Sequence, residues 1–153
     1  MAVALETQRN QEQPHVGDKF LLGSLILGHT IIHWYQQIFP VILPLIKADL
    51  GLTDIQVGGL MTAKQGAMGA LTLPSGFAAD AFYKHKAVIL GSALAMGGFA
   101  YIVASIAPTY FWVLVFLVLL GAASALWHPS AVSTLSLRFS DRRGTALALH
   151  GVG

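Results

Sequence analysis

Cysteine is absent from this 153-residue chain, which excludes disulfide frameworks and thiolate metal sites. Charge is nearly as scarce. Asp, Glu, Lys and Arg make up 10% of the sequence, against roughly 25% in an ordinary soluble domain. From Ala87 to Leu137 there is no charged side chain for 51 residues. As one helix that stretch would be about 76 Å long at ~1.5 Å per residue, whereas a bilayer hydrocarbon core is about 30 Å thick. It must cross twice, with a turn between. A soluble globular enzyme is excluded. So is a nucleic-acid binder, because nine basic against seven acidic residues give no surface for tracking phosphates. What the chain has in quantity is apolar surface: 55% hydrophobic residues and a mean hydropathy of +0.66.

Residues 1–18 read as a disordered, cytoplasmic tail, since Glu6 to Gln13 is polar and patternless. The apolar run that follows is too long for a cleavable signal. Residues 19–153 divide into spans at about 20–46, 53–77, 87–107 and 110–137, with an incomplete fifth at 143–153. Gly51 is placed to terminate the first helix. Thr53 with Gln56 has the form of a capping box for the second. Pro108-Thr109 breaks the long uncharged run near its middle. The expected fold is therefore all-α and integral to the membrane: four transmembrane helices plus the start of a fifth. Basic residues set the orientation. Arg9, Lys19, Lys84, Lys86, Arg138, Arg142 and Arg143 fall on one side and Lys47 on the other, so the N-terminus and both charged loops are expected in the cytoplasm. Tyr110 and Trp112 suit an interfacial aromatic belt at the opposite face. Glycine and alanine are dense from Gly58 to Ala70, a pattern that lets helices approach closely in lipid.

Polar groups at mid-bilayer depth need a reason. His29, His33, Gln36 and Gln37 fall on a stripe about 100° wide on the first helix, while Ile31, Trp34 and Ile38 look elsewhere. This stripe is expected to line a cavity, with His29 about 14 Å deep and His128 of the fourth span at a comparable ~15 Å. His29 and His33 have the spacing of a helical zinc pair, but no carboxylate or third ligand accompanies them and Glu is absent from every span, so no metal site and no cofactor is expected. Without an acid at that depth the histidines are expected to be neutral at pH 7. Lys64 lies too far from the end of its span to reach the interface easily and reads as a cavity-facing cation, suited to an anionic substrate group or to proton coupling. Gly121, Ser124 and His128 share a face of the fourth span, and Pro129 is expected to kink it.

Three stretches together resemble the major facilitator superfamily, and more narrowly its fosmidomycin-resistance-like efflux branch. The loop from Gly76 through Asp80 to Lys84 and Lys86 is similar to the superfamily's signature loop, with Ala81 and Tyr83 departing from it. The first span from His29 to Pro44, with its Tyr35-Gln36 pair and two prolines, resembles the branch's opening helix, except that His33 stands where an aspartate is usual. Trp127-His128-Pro129-Ser130 resembles an aromatic-His-Pro-Glu motif with Ser130 replacing the acid, and Arg142-Arg143-Gly144 fits the opening of the fifth helix. The resemblance implies part of an N-terminal six-helix half, with the substrate bound between two halves. It implies secondary transport of a small molecule by alternating access, as proton-coupled efflux, in a bacterial inner membrane, and not an enzyme. The partners are then the lipid bilayer, a small-molecule substrate, protons and the remainder of the transporter's own chain, with no nucleic acid. Gly76, Asp80, Lys84, Lys86, Arg142 and Arg143 would govern the conformational cycle, Asp80 by pairing with a basic group or a helix N-terminus at the cytoplasmic face, Arg142 and Arg143 being candidates. Two other architectures remain open: a self-contained four-helix oligomer and a histidine-containing membrane enzyme.

The basic-residue bias gives a direct test. A single cysteine introduced as Lys84→Cys is expected to resist an impermeant thiol reagent applied to intact cells and to label after permeabilisation. Labelling from outside overturns the orientation.

Overall fold

In the computed structural model, residues 16–152 are described, and they fold as a succession of helices. The expected tail lies outside the described residues for positions 1–15. Helix α1 spans Val16–Asp49, α2 Asp54–Ala81, α3 Lys86–Ser105, α4 Tyr110–Arg138 and α5 Arg143–His150, with 3-10 turns at Tyr83–His85 and Ser140–Arg142.

The ends follow from local chemistry. The first helix starts within the stretch read as tail, with Asp18 in its first turn beside the positive end of the helix dipole. Asp18 also accepts from Arg138 Nε at 2.7 Å, so the start of α1 and the end of α4 lie at one end of the bundle. At the other end Gly51 adopts φ +60°, the left-handed cap conformation that favours glycine. Lys47 and Asp54 pair across that turn at 2.5 Å. The capping box forms: Gln56 N–H donates to Thr53 Oγ1, and Thr53 N–H to Gln56 Oε1. Helix α3 ends at Ser105, slightly before the expected boundary, because the residue preceding Pro108 is barred from helical geometry.

Helix α4 is the spine of the molecule. It packs on α2, α3, α1 and α5, and it buries Val113, Phe116, Leu117, Leu120, Trp127, Ala131 and Leu135. Two apolar clusters form along it. One gathers Leu25, Ile32, Leu90, Trp127 and Leu135; the other gathers Phe39, Leu60, Phe116, Leu117 and Leu120. Between them fall Gln36 on α1 and Ser124 on α4, a polar layer between two greasy ones. Outside, Leu73, Phe77, Val88, Ile102 and Phe111 are exposed, an apolar exterior suited to lipid rather than water. By length and composition, the segments Tyr83–Ser105 and Tyr110–Arg138 each suffice to cross a membrane.

Helix α4 continues through Pro129, so the proline does not end it. The close packing expected of α2 forms against α4, but not at most of its glycines: a Cβ at Gly58, Gly66 or Gly69 would meet open space, while one at Gly59 would stand 2.9 Å from Tyr110 Oη. The tightest backbone contact is centred on Gly121 of α4, against Lys64, Ala67 and Met68. A Cβ at Gly121 would stand 2.5 Å from the Lys64 carbonyl oxygen and 3.2 Å from the Met68 nitrogen, both backbone atoms that cannot move aside.

Gly121→Ala is therefore expected to destabilise the bundle by about 1–3 kcal/mol, the usual cost of overpacking. Gly66→Ala, facing open space, is expected to be neutral or slightly stabilising. Thermal unfolding in detergent distinguishes the two.

Candidate functional site

The polar stripe of α1 is reproduced by helical geometry, since residues four apart stack on one face. His29 and His33 face each other with their Nε2 atoms 3.0 Å apart. Helix α4 brings His128 to both, with ring centroids 5.5 Å from His29 and 5.6 Å from His33. The ligand nitrogens of all three lie within 4.8 Å of one another. A fourth ring arrives from α5: His150 lies 4.2 Å from His29 between centroids. What seats α4 against α1 here is Trp127, whose ring occupies the groove left by the missing side chain of Gly28.

A hydrogen-bonded line continues from this cluster. His128 Nδ1 is 2.9 Å from the Ser124 carbonyl and 3.2 Å from Ser124 Oγ. Gln36 Nε2 donates to Ser124 Oγ. Lys64, buried on α2, donates from Nζ to the main-chain carbonyl of Gln36 at 3.2 Å. That carbonyl is available for a specific reason. Its intrahelical donor would be the N–H of residue 40, and residue 40 is proline, which has none. Pro40 thus leaves an acceptor on α1, and a lysine on α2 occupies it. Chemically, the line offers a cation, an amide, a hydroxyl and imidazoles in contact: groups that can hold an anion, relay a proton or ligate an ion.

Of the residues singled out from the sequence, His29, His33, Gln36, Lys64 and His128 come together. Gln37 stands apart. It is exposed, about 100° further round the helix than Gln36, and makes no hydrogen bond among the described residues. The expectation that the His29–His33 pair lacks a third ligand is overturned, because folding supplies His128 and His150 from distant positions. His150 was missed; on a ten-residue apolar segment nothing in its neighbourhood marks it.

The charged loop is less of a unit. Gly76 lies inside α2, and Asp80 in the last turn of that helix is exposed and makes no ion pair among the described residues. Arg142 and Arg143 are both exposed. Lys84 is exposed beside the Tyr83 ring. Lys86, expected in the exposed turn, is instead buried at the start of α3 and donates to Ser133 Oγ at 2.6 Å, fastening α3 to α4.

Comparison with known proteins agrees with this architecture. The fosmidomycin resistance protein of Escherichia coli (strain K12) is 24% identical over 133 residues, which are 87% of this chain and 32% of that protein. The chain thus spans about a third of the length of that relative. No solved structure gives a significant match. The family profile described as Major Facilitator Superfamily matches residues 25–153, nearly all of the helical region. This chain, an integral membrane protein by its apolar helices, belongs to the Major Facilitator Superfamily of transporters.

Proposed function

We propose that α1 to α4 each cross the membrane and that α5 begins a fifth crossing, within the N-terminal half of a secondary transporter working by alternating access. The N-terminus and the loops at 80–86 and 138–143 face the cytoplasm. The cargo is a small molecule, exported with protons as the coupling ion. The name of the relative speaks of resistance, and removal of a toxic compound is a direct route to it.

One observation carries the reading. A contiguous polar line runs from Lys64 through Gln36 and Ser124 to His128, His29 and His33, inside a body whose outer face is apolar. Polar and ionisable groups at such depth mark substrate or ion pathways. With the cargo held between two halves of the fold, this line forms one wall of the site. Lys64 supplies positive charge for an anionic group, and the imidazoles supply hydrogen bonds and a route for protons.

Fosmidomycin, named by the relative, is the first cargo to try. Inverted membrane vesicles containing the full-length transporter are expected to accumulate it, and a protonophore is expected to stop accumulation. Accumulation indifferent to the protonophore overturns proton coupling. The double substitution His29→Ala, His33→Ala is expected to abolish transport, whereas full transport would remove the histidines from the site. Loss of a charged hydrogen-bond donor costs roughly 1.5–3 kcal/mol, so Lys64→Met is expected to lower transport by about tenfold or more.

The exposed Asp80 belongs to the conformational cycle rather than to cargo binding. Asp80→Asn is expected to slow turnover while leaving cargo affinity unchanged. Weakened binding at an unchanged rate would contradict that role.

A further inference from the structure

Four of the six histidines meet where α1, α4 and α5 converge. The transport reading uses three of them, His29, His33 and His128, as hydrogen-bonding lining and a proton route, but the arrangement of all four is more specific. His29 and His33 oppose each other Nε2 to Nε2 at 3.0 Å. Two lone pairs cannot face at that distance, so either one ring gives a proton to the other or a cation is shared by both. His128 completes a set of three ligand nitrogens within 4.8 Å. With its proton on Nδ1, His128 donates to the Ser124 carbonyl at 2.9 Å. This is the outer contact that fixes the tautomer of a ligating imidazole and leaves Nε2 free.

An independent observation points the same way. His150 is 5% exposed, and neither of its ring nitrogens makes a well-aligned hydrogen bond among the described residues, the Leu25 main chain lying beside the ring. Its ring stands 4.2 Å from that of His29, whose buried Nδ1 likewise lacks a well-aligned partner, with the His150 main chain beside the ring. Buried polar atoms left unsatisfied carry a desolvation cost that a bound ligand offsets.

We propose that His29, His33 and His128 bind a divalent transition-metal ion of the Zn2+ type, with His150 as the fourth ligand. Neutral imidazoles suit Zn2+, Ni2+ and Cu2+, whereas Mg2+ and Ca2+ demand oxygen ligands. A tetrahedral ion at bond lengths of about 2.0–2.1 Å sets its ligand nitrogens roughly 3.4 Å apart. The spacings within the triad, from 3.0 Å to at most 4.8 Å, bracket that value, whereas His150 lies against the His29 ring and must turn to reach the ion. His29 and His33, one helical turn apart, form the chelating pair, and the ion fastens α1 to α4 and α5. The three partly exposed rings give it a way in. The site shares its residues with the transport reading, but its test is separate, because ion binding is measured without any cargo.

The test is titration of the purified protein, without a histidine tag and stripped by chelator, with Zn2+ in a calorimeter. One equivalent of Zn2+ is expected to bind, and Mg2+ is expected not to. His29→Ala, His33→Ala and His128→Ala are each expected to lower Zn2+ affinity by at least about tenfold, whereas His85→Ala in the exposed turn changes nothing. Unchanged affinity in His150→Ala removes it as the fourth ligand. Should the triad variants fail to fold, the unsubstituted protein answers the question by diethylpyrocarbonate modification. Zn2+ is expected to shield His29, His33 and His128 and to leave His85 reactive. Absence of Zn2+ binding, binding that survives loss of the triad, or no shielding overturns the site. Zn2+ binding without fosmidomycin transport, or transport without Zn2+ binding, shows which of the two readings has failed.

Discussion

The ammonium of Lys64 must find an acceptor inside an apolar helical body, and the interior is organised around how it does so. Water is scarce there, and an unpartnered cation is costly. The acceptor is a main-chain carbonyl, that of Gln36, freed by Pro40 from its own helix. For the lysine to reach it, α2 must lie close, and the contact of its backbone with Gly121 brings it there. Once α2 and α1 are joined, the side chain of Gln36 turns to Ser124, and Ser124 orients His128. One proline, one glycine and one lysine on three helices thus set the positions of the groups that do chemistry.

The two apolar clusters make this layer possible. Phe39, Phe116 and Leu120 fill one side, and Ile32, Trp127 and Leu135 the other. Each is dominated by apolar side chains, and the Tyr101 hydroxyl donates to the Tyr35 carbonyl rather than to Gln36 or Ser124. Trp127 serves both ends of this arrangement. It belongs to an apolar cluster, and its contact with Gly28 presses α4 onto α1 next to the histidines.

Much of this was legible in the sequence because it depends on local rules. The helix stops at Gly51 and Pro108, the Thr53–Gln56 cap and the polar face of α1 are each set by residues within a turn or two. Membership of His29, His33, Gln36, Lys64 and His128 in one cluster was readable from helical phase and depth together. What was not legible depends on which helix neighbours which. His150 is one histidine on a short apolar segment, and only the packing of α5 against α1 gives it meaning. Lys86 reads as a loop cation until α4 presents Ser133 to it. The small residues of α2 announced a close contact, and it forms against Gly121 of α4; composition marks helices able to approach and not the point of contact.

The Lys64 anchor has a consequence for how this region tolerates sequence drift. Every amino acid carries a main-chain carbonyl, so no replacement at position 36 can delete the acceptor that Lys64 uses. The fragile position is four residues along. Any residue other than proline at position 40 restores an N–H to the helix, and the lysine then shares the oxygen with an intrahelical bond instead of holding it alone. Position 36 is thus free to vary with respect to the cation while remaining answerable to Ser124. Position 40 sets how completely that oxygen is left to the lysine.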